Sequence, residues 1–265
     1  MEKPRKTEIT IGFTMHYPSF VKREMAQMKK ADVIFLEGPH RLVRDIQAGK
    51  SPEELFKNGD FFEEKYAKKY STKLKKIIDS GKTVIGYENL GDRRYWKPEE
   101  VRRMLDLQDI SDWAIGTKNR EIFVRAEAEM VKMRDKKNVA WLKANIPHYE
   151  GKIYIDAGAV HTPIWHELKK EFEKDGIPVK AEFLAHGKFG NRRIKMRYSP
   201  TDRLVRTLRF DTDALRNPDR LYQLMKEDEE FREVQSKLIL RRQRSGRPFL
   251  RAVEKNTMKW LRKRK

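Results

Sequence analysis

Apolar residues along this chain fall into short compact runs, separated by longer polar stretches in which apolar positions recur at helical spacing. Runs rich in β-branched and aromatic residues predict strands at Glu8–Phe13, Asp32–Glu37, Thr83–Tyr87, Lys152–Ala157 and Val179–Leu184. Each is of ordinary strand length. The intervening stretches predict helices at Ser19–Lys30, Asp60–Ser80, Pro98–Asp109, Ile115–Lys136 and Pro163–Asp175. Pro98 and Pro163 suit a first helical turn, and Ser80-Gly81 and Asp175-Gly176 read as stops before the next strand. Strands alternating with helices predict an α/β fold, a largely parallel sheet flanked by helices, with chemistry at the sheet's C-terminal edge.

The pattern changes after about residue 185. Gly187–Met196 reads as a hinge or hairpin. From Ser199 onward the chain reads as helices: one starts near Ser199-Pro200-Thr201-Asp202 and another at Asn217-Pro218-Asp219. Ser245-Gly246-Arg247-Pro248 then separates Phe231–Arg244 from Phe249–Arg264, whose Leu250, Val253, Met258 and Leu261 form a modest apolar face. This predicts two parts, an α/β core over 1–185 and a basic, mostly helical extension over 186–265.

Composition narrows the function classes. The 265 residues suit one large domain or two small ones. The longest apolar runs, such as Val33-Ile34-Phe35-Leu36, are strand-sized, so integral membrane association is not expected. Thirteen Phe, nine Tyr and five Trp supply a core that disordered chains lack. Zero Cys excludes disulfides, thiolate metal sites and Cys nucleophiles. No basic-then-apolar signal segment opens the chain, which leads to the expectation of a soluble cytoplasmic protein. Abundant Lys, Arg and Glu beside few Gln and no Cys match the composition of thermophilic proteins.

Charge sharpens the division. The formal net charge is +20. Residues 186–265 hold 24 Lys and Arg against 10 Asp and Glu, a net +14, so most of the excess lies in the extension. Arg241, Arg242, Arg244, Arg247, Arg262, Lys263, Arg264 and Lys265 make a candidate surface for nucleic acid or another polyanion. A solvated helical face with a basic tail explains the same composition, and no recognised nucleic-acid module is visible.

Candidate chemistry collects just beyond the predicted strands. The first leads to Gly12-Phe-Thr-Met-His16, the second to Glu37-Gly-Pro-His-Arg41, the third to Glu88 and the fourth to Gly158-Ala-Val-His161. Strand ends of a parallel sheet share one rim, so His16, Glu37, Glu88 and His161 can converge. Imidazole nitrogen with carboxylate oxygen suits Zn, Mn or Co and leaves positions for water. Glu37 closes an apolar strand, where a carboxylate needs a partner; Arg41 and Arg44 are the nearest candidates in sequence. Arg120 reads from spacing alone as a surface cation. Nucleophile-elbow, phosphate-loop and dinucleotide-binding motifs are absent.

Taken in order, Ile11-Gly-Phe-Thr-Met-His16, Val33-Ile-Phe-Leu-Glu-Gly-Pro-His-Arg41, Ile85-Gly-Tyr-Glu88, Lys118-Asn-Arg-Glu121 and Ile153-Tyr-Ile-Asp-Ala-Gly-Ala-Val-His161 resemble the motif series of the TraB/Tiki superfamily. That superfamily is related to erythromycin-esterase-like and ChaN-like haem-binding proteins. The resemblance spans residues 8–185. Two pieces depart from the family pattern: three residues separate Gly12 from His16 instead of two, and Asn119-Arg120-Glu121 stands in place of Glu-Arg-Asp. The resemblance implies an α/β core with one polar site and raises Arg120 to a candidate site residue.

Together these readings point first to a metal-dependent hydrolase of a peptide or ester bond. His16, Glu37 and His161 would hold a divalent transition metal. Glu37 is alternatively the general base, Glu88 completes the site, and Arg120 holds the substrate carbonyl or carboxylate. The alternative is a non-catalytic protein binding nucleic acid or an acidic partner through its basic extension. A third reading is haem binding near Met15, His16 or His161, as in the ChaN-like relatives.

Overall fold

The computed structural model describes residues 6–14, 21–51, 54, 64–88, 93–116, 119–184, 187–189, 192–194, 223–224 and 227. All five predicted strands are present: β1 (Glu8–Thr14), β2 (Val33–Leu36), β3 (Thr83–Gly86), β4 (Lys152–Gly158) and β5 (Val179–Phe183). They form one sheet in the order β3-β2-β4-β1-β5, and every neighbouring pair is parallel. β2 is buried at all four positions and β4 at all but the first, because helices cover both faces of the sheet.

The helices divide between those faces. α1 (Val21–Met28), α2 (His40–Gln47) and α3 (Glu64–Ile78) lie on one side. There Met25, Met28, Val43, Ile46, Leu74 and Ile77 pack with Ile34, Leu36 and Tyr154. α4 (Pro98–Gly116), α5 (Arg120–Asn145) and α6 (Pro163–Phe172) follow β3 and β4. Trp141 and Leu142 of α5 and Ile164, Leu168 and Phe172 of α6 cover the other face, against Ile11, Phe35, Ile153 and Ile155. α4 packs on α5 through Met104, Leu107, Ala126 and Met130. Its buried positions Met104, Leu107, Ser111 and Ala114 recur at helical spacing. α2 is an element the sequence reading lacks. It is short and starts directly after Pro39, where the chain turns tightly against β3: a side chain at Gly86 would place its Cβ 2.6 Å from the Pro39 carbonyl carbon.

This connectivity places the chemistry. β4 sits between β1 and β2, yet its outgoing chain crosses to the α6 face while theirs cross to the α1 and α2 face. Where neighbouring strands lead to helices on opposite faces, the C-terminal rim is the place such a sheet offers for a site. Beyond the main sheet, β6 (Gly187–Phe189) and β7 (Arg192–Ile194) form an antiparallel pair, a hairpin within the stretch read as a hinge or hairpin. The helices expected from Ser199 onward fall almost entirely outside the described residues. No helix among the described residues is long and apolar enough to cross a membrane.

Candidate functional site

Glu37 follows β2 directly, Glu88 lies just past β3, and His161 ends the short 3-10 turn Ala159–His161 after β4. Each strand carries its residue to the rim, and three of the expected side chains meet there. His161 is the centre of the cluster. Its Nε2 lies 3.2 Å from Glu37 Oε1, and its Nδ1 contacts Asp135 Oδ1. The second Glu37 oxygen accepts the Gly158 N–H. Arg134 Nη2 donates to Glu37 Oε1 at 3.4 Å, and Arg134 Nε donates to Glu88 Oε1. Beneath them the Tyr87 hydroxyl donates to the Asp156 carbonyl at 2.7 Å, tying the end of β3 to β4 across β2.

Burial alone would discharge the His161 ring, but the Asp135 and Glu37 carboxylates outweigh it and push its pKa up to about 10. At neutral pH the ring is therefore an imidazolium donating to a carboxylate from each nitrogen. Burial likewise opposes the Arg134 charge, and Glu88 and Glu37 reverse that effect. Burial and the surrounding carboxylates, Glu37 first, raise the Tyr87 phenol well above its ordinary value and keep it a neutral donor.

Other expected residues stand elsewhere. His16 and all eight basic candidates, Arg241, Arg242, Arg244, Arg247, Arg262, Lys263, Arg264 and Lys265, lie outside the described residues. Arg120 opens α5 after the Asn119 cap, and its side chain lies outside what is described. The guanidinium at Glu37 belongs to Arg134, further along that helix. Arg41 is exposed and faces Asp45 at 3.5 Å, while Arg134 brings a guanidinium to Glu37 from a distant helix. Among the described residues no group of three or more His, Asp or Glu stands in a metal-ligand arrangement.

Arg134 and Asp135 were missed because Met133-Arg-Asp-Lys-Lys137 reads as a solvated run. One signal was available. Val131, Asp135, Asn138 and Leu142 share one buried stripe of α5, which marks Asp135 as an inward carboxylate. No family model, no curated protein and no solved structure matches this chain.

Proposed function

We propose that the polar cluster at the sheet rim is the active site of a metal-dependent hydrolase cleaving a peptide or ester bond. The observation that carries this reading is the His161 setting. A carboxylate fixes Nδ1 and a second carboxylate oxygen stands 3.2 Å from Nε2. That pair presents adjacent nitrogen and oxygen donors to one ion, and a carboxylate behind the far ring nitrogen is the usual support for a metal-bound imidazole. The ordered TraB/Tiki-like motifs support the same assignment.

His161 and Glu37 would provide two ligands, with His16 as the third, and zinc, manganese or cobalt suits that donor set. Such an ion lowers the pKa of bound water and polarises the scissile carbonyl. The protein's own groups do the rest. His161 would hold the ion through Nε2 as the neutral ring, with the Asp135 carboxylate orienting that ring from Nδ1. Glu88 accepts a proton at the rim. Arg134, anchored by Glu88 and Glu37, donates to the oxygen on which charge develops, a role the family resemblance also offers Arg120.

The test is metal analysis and hydrolysis assays on purified protein. His161→Ala should lose both bound transition metal and any hydrolysis of peptide or ester substrates. Unchanged metal content and turnover in that variant would refute the assignment.

A further inference from the structure

A groove of about 600 Å³ runs along α5 beside the first turn of α4. Arg125, Glu129, Lys132 and Lys136 line it from α5 and recur at helical spacing, so they form one stripe of that helix. The stripe is separate from the inward one that carries Val131, Asp135 and Leu142. Arg125, Lys132 and Lys136 are exposed. Glu100 and Lys137 close the groove at the α4 end.

Cations outnumber carboxylates along this lining, and both carboxylates are already met by cations. Arg103 donates to Glu129 Oε1 from Nε at 3.0 Å and from Nη2 at 2.9 Å. Lys137 pairs with Glu100, which also accepts the Lys97 N–H, and its ammonium stands 5.6 Å from the centre of the Trp96 ring. Lys137 is thus fixed as part of the wall. Lys132 and Lys136 stand one helical turn apart, where like charges repel. Glu129, one turn before Lys132, is the acid placed in sequence to relieve them, and Arg103 holds it. An anion lying in the groove relieves that repulsion.

We propose that this groove binds the phosphate backbone of single-stranded nucleic acid, with Lys132 and Lys136 on successive phosphates and Arg125 at the far end of the track. From Arg125 to Lys136 the helix rises about 16 Å at ~1.5 Å per residue. That is the reach of about five stacked nucleotides at ~3.4 Å each. A compact triphosphate leaves one end of the stripe empty. Helices in contact lie about 8–10 Å apart, so a groove beside their seam admits one strand and not a duplex. Ammonium groups on phosphate carry no base readout, and binding here is independent of sequence. The groove shares no residue with the His161 rim and lies on the α/β core, apart from the basic extension.

Fluorescence anisotropy of a short labelled single-stranded oligonucleotide of mixed sequence, titrated with full-length protein, tests this. Lys132→Glu/Lys136→Glu should weaken binding by at least ~10-fold, and the slope of log affinity against log salt should fall by about 1.4, at ~0.7 per phosphate on a single strand. Lys29→Glu/Lys76→Glu removes the same charge from exposed positions of α1 and α3, on the opposite face of the sheet. That control should keep the wild-type slope and lose less than ~3-fold in affinity. Lys132→Gln/Lys136→Gln serves if the charge reversal disturbs the circular dichroism of the fold. Equal losses in the groove variant and the control would overturn the proposal, because overall charge would then explain the binding. A wild type that does not bind the oligonucleotide would overturn it as well. So would a duplex of the same length that loses as much affinity in the groove variant, or inorganic tripolyphosphate that displaces the strand as well, phosphate for phosphate, as an unlabelled oligonucleotide.

Discussion

Replacing Asp135 with Asn tests the electrostatics of the rim through the stability of the whole protein. The His161 pKa stands at about 10 against an ordinary 6.5. The folded ring therefore holds its proton over a range in which the unfolded ring has released it. Between those values the folded state binds more protons than the unfolded state, so stability falls as pH rises. The contribution is fully present below 6.5 and is lost through about 10. At ~1.4 kcal/mol per pH unit the full span amounts to about 5 kcal/mol, an upper figure for one group. Asp135→Asn removes one of the two carboxylates that hold the proton. Its stability loss should therefore end at a lower pH, leaving a flatter curve in the alkaline range. Urea unfolding at fixed temperature from pH 6 to 10, on chelator-treated protein, measures both curves. Glu24, on the buried stripe of α1, acts in a separate window: its raised pKa reduces stability as pH climbs from 4.5 to about 7, before most of the His161 effect begins. A wild type equally stable at pH 7 and pH 9, or a variant curve parallel to it, would refute the reading of His161 as a charged ring between two carboxylates.

Three further outcomes are expected. Gly12→Ala should destabilise by about 1–3 kcal/mol, the usual cost of overpacking, because its Cβ would land on the Tyr154 phenol, with partial recovery when Tyr154→Leu removes that ring; denaturant midpoints check both. Phe35→Ala should cost about 3–5 kcal/mol with the denaturant slope unchanged, because the ring packs edge-on against Trp141 and Tyr149 in the core beneath the rim. If the basic extension binds nucleic acid, the wild type should lose affinity steeply between low and moderate salt in fluorescence anisotropy. Deleting residues 245–265 should reduce that affinity while the far-ultraviolet circular dichroism of the core persists.

The strands were legible because a parallel sheet covered on both faces must be written in nearly unbroken apolar residues, as Val33–Leu36 shows. Their order was not, since the helices that decide which strand neighbours which are amphipathic wherever they pack. The rim position of Glu37, Glu88 and His161 followed from their places just past strands. Arg134 and Asp135 reach the rim from the middle of a long helix, where charge is ordinary and only the spacing to Leu142 betrays an inward face. Glu24 is the reverse case: its stripe with Val21, Met25 and Met28 is plainly periodic, and the one charged member is what that regularity hides. α2 went unread because a turn fitted against Gly86 produces it, and contact between distant residues leaves little trace in eight positions.

The place of β4 has a consequence for how the chain is made. β1 emerges first from the ribosome, but both its sheet neighbours, β4 and β5, are synthesised long after it. β2 and β3 can pair early, since fewer than fifty residues separate them, α2 and α3 among them. β1 and β2 must then wait, edges unpaired, for the strand that slots between them. Such non-local closure slows folding and exposes apolar edges while the chain is incomplete. A nascent chain arrested before residue 152 should accordingly carry a sheet without its central strand, and the vulnerable interval in the life of this protein is the one that ends when β4 arrives.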